Sequence, residues 1–297
     1  MKASLRNVLV ATLLLAPLSS ALAQSTVNQR LPLSSGGRVE LSNIAGSVTV
    51  RGWDRNEVQL SGTLGDGQRL DVENSANRVQ FKVVYPQNGR SSRGATLELR
   101  VPRAAQLQTS TVSAGVDVAD VDLRRLQTTT VSGAITANGQ AEEAELNTVS
   151  GSIRTQLRTT RLDVRTVSGG ITTAGGSGGE VTANSVSGGI NLDLSAVQRL
   201  NAETVSGNLG VRSSGLQPGG RISLQTVSAP VTLTLPARTS AQLKVNTFSG
   251  DIKSDVGQVE RPRYGPGSSL DARIGGGDGD ISINAHSGDV RVSLSGR

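Results

Sequence analysis

The sequence has no cysteine, a single histidine and very few aromatic residues, which make up 2% of its 297 positions. Without cysteine there is neither a disulfide framework nor a cysteine for lipid attachment. A wide globular core needs large side chains, whereas a thin core of β-branched residues does not. Glycine is abundant, with 36 residues, and Val, Ile, Leu, Thr and Ser dominate the remainder. This composition favours a long, narrow β protein.

Long apolar runs are also missing, except at the start of the chain. Lys2 and Arg6 precede an apolar stretch at 8–18, and Ala21-Leu22-Ala23 follows it. A basic region, an apolar region too short to span a bilayer and an Ala-x-Ala site are the signature of a secretory signal peptide. We therefore predict a signal peptide at 1–23 and a mature chain without a transmembrane segment. Its expected location is the periplasm, the cell surface or the medium.

The chain carries no strong excess of either charge. The formal net charge is +6, and without Lys2 and Arg6 it is 28 basic against 24 acidic residues, or +4. These charges are spread along the chain, whereas a nucleic-acid footprint needs basic residues clustered on one face. A nucleic-acid partner is therefore not expected.

One short motif, Thr-Val-Ser-Gly, recurs along the chain. It belongs to a twelve-position pattern, Leu, x, Val/Ala, x, Thr, Val, Ser, Gly, x, Ile, x, Thr/Val, numbered here as positions 1 to 12. The residues at position 6 are Val112, Val131, Val149, Val167, Val186, Val205, Val227, Phe248 and His286. Their spacing is 18 to 22 residues except for the last, which is 38, so we place one degenerate copy within 261–280. An earlier copy occupies 39–50. A fixed period in this range is typical of a solenoid.

The apolar positions alternate with polar ones, which is the period of a β-strand. We expect positions 1 and 3, and then 6, 8, 10 and 12, to point inward, with a bend near positions 4 and 5. On this reading a charge at Val167 or Ile171 would break two coil interfaces at once. Glycine at position 8 lies on the inward side next to the bend, where either a side chain would crowd the neighbouring wall or the backbone needs a conformation closed to other residues.

The predicted fold is all-β: a parallel β-helix, or β-solenoid, of about ten coils of 18–22 residues with an N-terminal β-hairpin extension or cap. The array occupies 107–297, and 24–106 holds the first coil and the antiparallel strands. Three alternating runs, within 56–65, 77–86 and 95–102, are interpreted as hairpin strands packed on the first coils. Trp53 is the expected apolar plug at that end.

With position 6 pointing inward, the hydroxyls at positions 5 and 7 would form two rows on the surface. Such rows are satisfied by hydrogen bonds along the ladder, or they present a flat array to a glycan or to ice. The residues of this predicted surface hydroxyl ladder are Thr111, Ser113, Thr130, Ser132, Thr148, Ser150, Thr166, Ser168, Ser187, Thr204, Ser206, Thr226, Ser228, Thr247 and Ser249.

Catalytic and metal-binding patterns are weak. The single histidine, His286, has no second histidine or cysteine to join it, and we interpret it as a core or end-coil residue. The segment from Gly275 resembles a calcium-binding nonapeptide, but its register fails, so it is predicted to be a polar turn. No cofactor is expected. A polysaccharide hydrolase needs paired acidic residues in one groove. The candidate acids are scattered along the sequence or lie in turns: Asp117, Asp120, Asp122, Glu142 and Glu143.

Four stretches together resemble the bacterial putative-adhesin family, a domain of unknown function akin to head GIN adhesin-like domains. They are "GSVTVRGWDRNEV", "LELRVP", the repeated "TVSG-x-I" and the ending "GGGDGDISINAHSGDVRV". The likeness runs from about Arg38 to the end. It implies a right-handed parallel β-helix in a cell-envelope setting and no catalytic residues.

The predicted function is a non-catalytic, exported, adhesin-like binding or scaffolding protein of the cell envelope. Its expected partner is a glycan or another envelope protein, and its oligomeric state is left open. The alternative is a polysaccharide-active β-helix enzyme, a lyase or hydrolase acting on acidic glycans. A structural role in envelope assembly is a third hypothesis.

Overall fold

The computed structural model describes residues 25–86, 93–263 and 266–296, so the predicted signal peptide lies outside the described residues. All regular structure within these ranges is β. The strands are β1 (Ser25–Pro32), β2 (Arg38–Asn43), β3 (Gly46–Trp53), β4 (Glu57–Leu64), β5 (Arg69–Ser75), β6 (Arg78–Val84), β7 (Ala95–Pro102), β8 (Gln106–Thr111), β9 (Gly115–Thr130), β10 (Ile135–Thr148), β11 (Ile153–Thr166), β12 (Ile171–Ala174), β13 (Ser177–Ser185), β14 (Ile190–Leu194), β15 (Val197–Thr204), β16 (Leu209–Ser213), β17 (Leu216–Thr226), β18 (Val231–Pro236), β19 (Ala241–Thr247), β20 (Ile252–Ser254), β21 (Val259–Glu260), β22 (Ser268–Ile274), β23 (Gly279–Ala285) and β24 (Val290–Ser295).

Successive copies of the repeat stack as parallel strands in register. Positions 1 to 5 form a first face, on which Leu162 of β11 lies beside Val181 of β13. Positions 9 to 12 form a second face, on which Ile171 of β12 lies beside Ile190 of β14. The strands β9, β10 and β11 continue from the second face of one coil to the first face of the next. The fold is therefore all-β and solenoid-like, as the repeat predicts.

A single thin core runs between the two faces. Positions 1, 3 and 10 supply most of it, and Leu162, Val164 and Ile171 expose 1% of their surface or less. Each buried aliphatic side chain of this kind stabilises the fold by roughly 1.5–3 kcal/mol. Because equivalent residues stack at the inter-strand distance of about 4.8 Å, each one is covered by the coils above and below.

The corner of each coil differs from the sequence prediction. Position 5 points inward, as in Thr166, which is 5% exposed, while Val167 at position 6 is 46% exposed. Positions 6 and 7 both point outward, and position 8 returns to the interior. The parity therefore changes between positions 6 and 7, not near positions 4 and 5. A charge at the buried Ile171 still disrupts two interfaces, whereas a charge at Val167 meets solvent.

Glycine at position 8 permits a very close approach of neighbouring coils. A Cβ added to Gly169 would lie 1.7 Å from the carbonyl oxygen of Gly151, and one added to Gly188 would lie 1.8 Å from that of Gly169. Atoms do not approach this closely, so the backbones at this corner pack against each other directly. The crowding expected from the sequence is confirmed.

The C-terminal coil does not stack at the end of the array. Strands β23 and β24 lie between the coil of β17 and β18 and the coil of β19 and β20. The degenerate copy expected within 261–280 is wrong, because β22 pairs with β19 in the antiparallel direction. The 38-residue gap therefore holds an antiparallel excursion, after which the chain returns to fill the space between two earlier coils.

The N-terminal end has a similar arrangement. Strands β6 and β7, expected to be hairpin strands, do form antiparallel pairs, but they also pair in parallel with β2 and β3 and form a coil outside the first one in sequence. Three strands add in the antiparallel direction: β5 on β6, β4 on β7, and β1 on β4. They cover the outermost coil on both faces.

Trp53 is not an apolar plug. It is half-buried at the end of β3, where its indole N–H donates to the Glu57 carbonyl at 2.7 Å. The guanidinium groups of Arg55 and Arg100 lie 5.2 and 5.9 Å from its ring centroid. Its polar N–H and these two cations keep it at the surface.

Candidate interaction face

A row of apolar side chains runs along the outside of the corner. In spatial order this valine row consists of Ile44, Val112, Val131, Val149, Val167, Val186, Val205, Val227, His286 and Phe248. The nine members other than His286 are 44–52% exposed. At about 4.8 Å per coil, the row is roughly 43 Å long. A contiguous apolar surface of this length is typical of an interaction site.

A groove lies beside the middle of the valine row. Its volume is about 760 Å³, and its walls are the valine row and the neighbouring side chains at position 4. In spatial order these position-4 residues, named here the polar row, are Asn147, Arg165, Asn184, Glu203, Gln225 and Asn284. The groove therefore offers apolar contact on one side and hydrogen-bonding groups on the other.

The two charges of the polar row lie one on each side of Asn184. Arg165 is the register partner of Asn184 on β11, and Glu203 is its register partner on β15. Arg165 donates to Asp163 Oδ2 at 2.5 Å, and Glu203 accepts from the side-chain amide of Asn201 at 3.1 Å. Because the two charges have opposite signs, the charges of the polar row sum to zero.

Asp163 lies at position 2, next to the polar row. Burial raises the pKa of its carboxyl, the Arg165 guanidinium opposes that shift, and the carboxylate of Glu145 on the adjacent coil adds to it. Asp163 Oδ1 is buried and has no hydrogen-bond partner. Desolvation therefore outweighs the ion pair at this carboxyl.

The threonines of the predicted surface hydroxyl ladder are not on the surface. Thr148 accepts a hydrogen bond from the Gly151 N–H at 3.0 Å, and its hydroxyl faces the Gly133 carbonyl of the preceding coil at 3.4 Å. The same arrangement holds at Thr166, where the Gly169 N–H donates at 3.0 Å. A hydroxyl can both accept and donate, so one buried threonine satisfies groups of two coils. The buried threonines of the ladder are Thr111, Thr130, Thr148, Thr166, Thr204, Thr226 and Thr247.

The serines at position 7 are exposed, as predicted, but several face the backbone. Ser113 donates to the Ile44 carbonyl at 3.3 Å, and Ser187 donates to the Val167 carbonyl at 3.3 Å. These bonds connect each serine to the preceding coil. The valine between the two hydroxyls is therefore the exposed side chain of the motif that makes no hydrogen bond to a neighbouring coil.

The valine row ends in an aromatic pair. The rings of Phe248 and His286 are stacked, with centroids 5.0 Å apart and planes 6° from parallel. His286 is exposed at position 6, on a coil that lies between those of β17 and β19, so it is neither the core residue nor the end-coil residue that the sequence suggested. It lines the groove together with Val227. The stack extends the apolar row onto the coil of β19.

The acids considered for catalysis do not line this groove. Asp117 is paired with Arg51 at 2.6 Å, Asp122 lies 3.7 Å from Arg103, and Glu143 lies 3.6 Å from Arg125. The other two are Asp120, which has a positive φ of 56°, and the exposed Glu142.

The glycine-rich segment after β22 forms a turn. Its Gly277 N–H donates to the Ile274 carbonyl at 3.2 Å, and Ser240 donates to Asp278 Oδ2 at 2.6 Å. Across residues 25–86, 93–263 and 266–296, no three acidic or histidine side chains are grouped so that they could hold a metal ion. A membrane-spanning helix, long and apolar enough to cross a bilayer, is likewise not found in those ranges.

A family model for Toastrack DUF4097 matches residues 38–293. The chain belongs to this family. It is also similar in structure to a "putative lipid binding protein" from Parabacteroides distasonis, with 13% identity, a TM-score of 0.52 and coverage of 90% of this chain and 96% of the other. At this identity the likeness shows the fold alone.

Two further solved structures align with less similarity. A "putative adhesin" from Bacteroides fragilis has 6% identity, a TM-score of 0.40 and coverage of 91% and 98%. A "putative cell adhesion protein" from Clostridium sporogenes has 8% identity, a TM-score of 0.22 and coverage of 91% and 100%. No curated protein matches the chain. The Toastrack match confirms the family resemblance seen in the sequence.

Proposed function

We propose that this Toastrack protein is a non-catalytic, exported, adhesin-like binding or scaffolding protein of the cell envelope. Its binding face consists of the valine row, the polar row and the groove between them. The observation that carries this proposal is the unbroken line of half-exposed aliphatic side chains along the corner. Buried valines would stabilise the fold more, so seven exposed valines at the same position of successive coils indicate an external contact.

We also propose that the chain is exported, divided and wound as its sequence indicates. The signal peptide at 1–23 directs export, and the mature chain has an N-terminal part at 24–106 and a solenoid array at 107–297. The array winds as a right-handed parallel β-helix of about ten coils of 18–22 residues. The partner is a glycan or another envelope protein. The similar structure with a TM-score of 0.52 is named a putative lipid binding protein, and this name supports a binding function.

The test compares binding by three forms of the purified mature protein. Wild type, Val186→Asp and the control Thr172→Asp are used to capture components of an envelope extract and are applied to a glycan array. Val186 is 48% exposed in the centre of the valine row, and Thr172 is exposed on the second face. Wild type and Thr172→Asp should bind and Val186→Asp should not. Equal binding by all three would show that the valine row is not the binding face.

One observation favours a second candidate, the polysaccharide-active enzyme. Glu145 and Asp163 are register partners on adjacent coils, and the pKa of the Asp163 carboxyl is raised by burial. A carboxylate beside a carboxyl with a raised pKa is the pairing that glycoside hydrolysis uses. Products released from acidic polysaccharides by wild type, and abolished in both Asp163→Asn and Glu145→Gln, would establish this function.

A further inference from the structure

We propose that the valine row binds a second copy of this chain, with the two rows antiparallel about a two-fold axis through Val186. This inference rests on the proposed function, since it names the partner of the same face. It requires that the row be complementary to itself when reversed. The order of its side chains meets that requirement.

Val186 is near the middle of the valine row. Counting along the stack, four members lie beyond it as far as Phe248, and four lie before it as far as Val112. Reversal places Phe248 of one copy against Val112 of the other, and His286 against Val131. Every contact between the rows then joins an apolar side chain to an apolar or aromatic one. Ile44 lies one coil beyond this overlap.

The charges of the polar row are also placed symmetrically about that axis. Arg165 precedes Asn184 by one coil, and Glu203 follows it by one coil. Reversal brings Arg165 of each copy opposite Glu203 of the other, which gives two ion pairs across the interface. Asn147 and Gln225, two coils from Asn184 on either side, meet as a pair of amides. The polar row is therefore self-complementary in charge and in hydrogen-bonding capacity.

The direction of the axis follows from the fold. When two faces meet, a two-fold axis along the strand direction reverses the stack of coils and keeps each row opposite its own counterpart. The valine rows then contact each other, and so do the polar rows. Such an interface is isologous, with the same patch used by both copies, which is the commonest arrangement in symmetric dimers.

The size of the face predicts a weak dimer. Nine coils cover about 38 Å, and the strip from position 2 to position 7 is about 16 Å wide, or roughly 600 Å² per copy. This is at the low end for specific interfaces, and we expect a dissociation constant on the order of micromolar. Pairing should therefore depend on concentration.

The charge pattern allows a test by mixing two variants. Glu203→Arg places like charges opposite each other in a dimer of that variant, and Arg165→Glu does the same in a dimer of the other. In the mixed dimer each arginine faces a glutamate. Sedimentation equilibrium of the mature protein should show a dimer for wild type, at least tenfold weaker pairing for each variant alone, and wild-type pairing restored in an equimolar mixture.

Controls separate loss of pairing from loss of folding. Thr172→Glu adds a charge on the second face and should dimerise like wild type, and Val186→Asp should be a folded monomer. Melting curves check each variant, because Arg165→Glu also removes the partner of Asp163. A wild-type chain that stays monomeric into the millimolar range, or a mixture no tighter than its components, would overturn the inference. If the monomer still loses envelope or glycan binding through Val186→Asp, the proposed function stands and only the self-pairing falls.

Discussion

Each residue of Thr-Val-Ser-Gly has a separate physical role at the corner of a coil. Threonine joins two coils through its hydroxyl, valine faces outward, serine bonds to the preceding carbonyl and glycine allows backbone contact. A catalytic motif is needed once, whereas this corner recurs in successive coils. The stacking of coils therefore explains why the motif is repeated. The exposed valine is the residue of the motif that remains available for binding.

Replacing the buried threonine should destabilise the fold. In Thr166→Val the shape is nearly preserved, but the Gly169 N–H loses the acceptor that it contacts at 3.0 Å. An unsatisfied buried donor costs about 1–3 kcal/mol, so the free energy of unfolding should fall by that amount in urea denaturation. The matched control is Ser168→Ala, whose exposed hydroxyl is 3.4 Å from the Val149 carbonyl. Its effect should stay within about 0.5 kcal/mol, and equal stability of the two variants would contradict the role of threonine.

Asp163 should make stability depend on pH. Its pKa in the folded chain is raised above the ordinary 3.8, chiefly by burial, so folding favours the protonated form. The stability contributed by this carboxyl is present below the unfolded pKa and is lost as the pH rises through the folded pKa. Asp163→Asn should therefore melt at a higher temperature than wild type at neutral pH, with the difference vanishing below about pH 4. A lower melting temperature for the variant at neutral pH would show that the ion pair with Arg165 outweighs burial.

The orientation of the corner was the part of the residue pattern that sequence reasoning missed. Apolar residues are usually buried, and this tendency predicts Val at position 6 inside and Thr at position 5 outside. The reverse holds because the Thr166 hydroxyl has hydrogen-bond partners in the interior, which removes the cost of burying it. One signal was available in the sequence: positions 1, 3 and 5 continue a strand alternation without interruption, and that continuation places Thr inside.

At the scale of the coil, the contact between glycines is the tightest feature of the stack. Gly169→Ala would place a Cβ 1.7 Å from the Gly151 carbonyl oxygen, which forces the two backbones apart. We expect a loss of at least about 2 kcal/mol of unfolding free energy, measured by chemical denaturation. The neighbouring Gly170→Ala is the control, because its Cβ would lie 3.6 Å from the Gly189 oxygen, an ordinary contact. It should change stability by no more than about 0.5 kcal/mol.

The elements could be predicted from the sequence where the repeat is regular. The spacing of the motif gave the parallel stacking of successive copies, and the pairing of Leu162 with Val181 and of Ile171 with Ile190 follows directly. The copies at the two ends could not be ordered in this way, because β2, β6, β8 and β23 all have the same alternating pattern. Strands with this pattern could pair with several different neighbours. The antiparallel strands that determine which neighbour is used do not contain the repeat.

At the scale of the whole molecule, the last coil in sequence joins the two coils that precede it in sequence. Strands β23 and β24 separate β17 and β18 from β19 and β20, which have no pairing with each other. In a simple stack, removing the final coil leaves the remainder intact. Here its removal leaves an internal gap of one coil, and the apolar faces of Ile222 and Leu243 that β23 covers lose their neighbour.

This order of coils makes an unusual prediction about truncation. A chain ending at residue 278 lacks only the last coil but keeps β19 to β22 detached from the array, so its apolar surface should cause aggregation and rapid proteolysis. A chain ending at Ala237 lacks more residues, yet it ends in one continuous stack up to β18 and should be the more soluble and protease-resistant of the two. Limited proteolysis and light scattering of both mature forms measure the difference. If β19 and β20 instead moved by one coil to pair with β17 and β18, the longer form would be the more protease-resistant. The insertion of the last coil between the two earlier coils would then not be required for a stable stack.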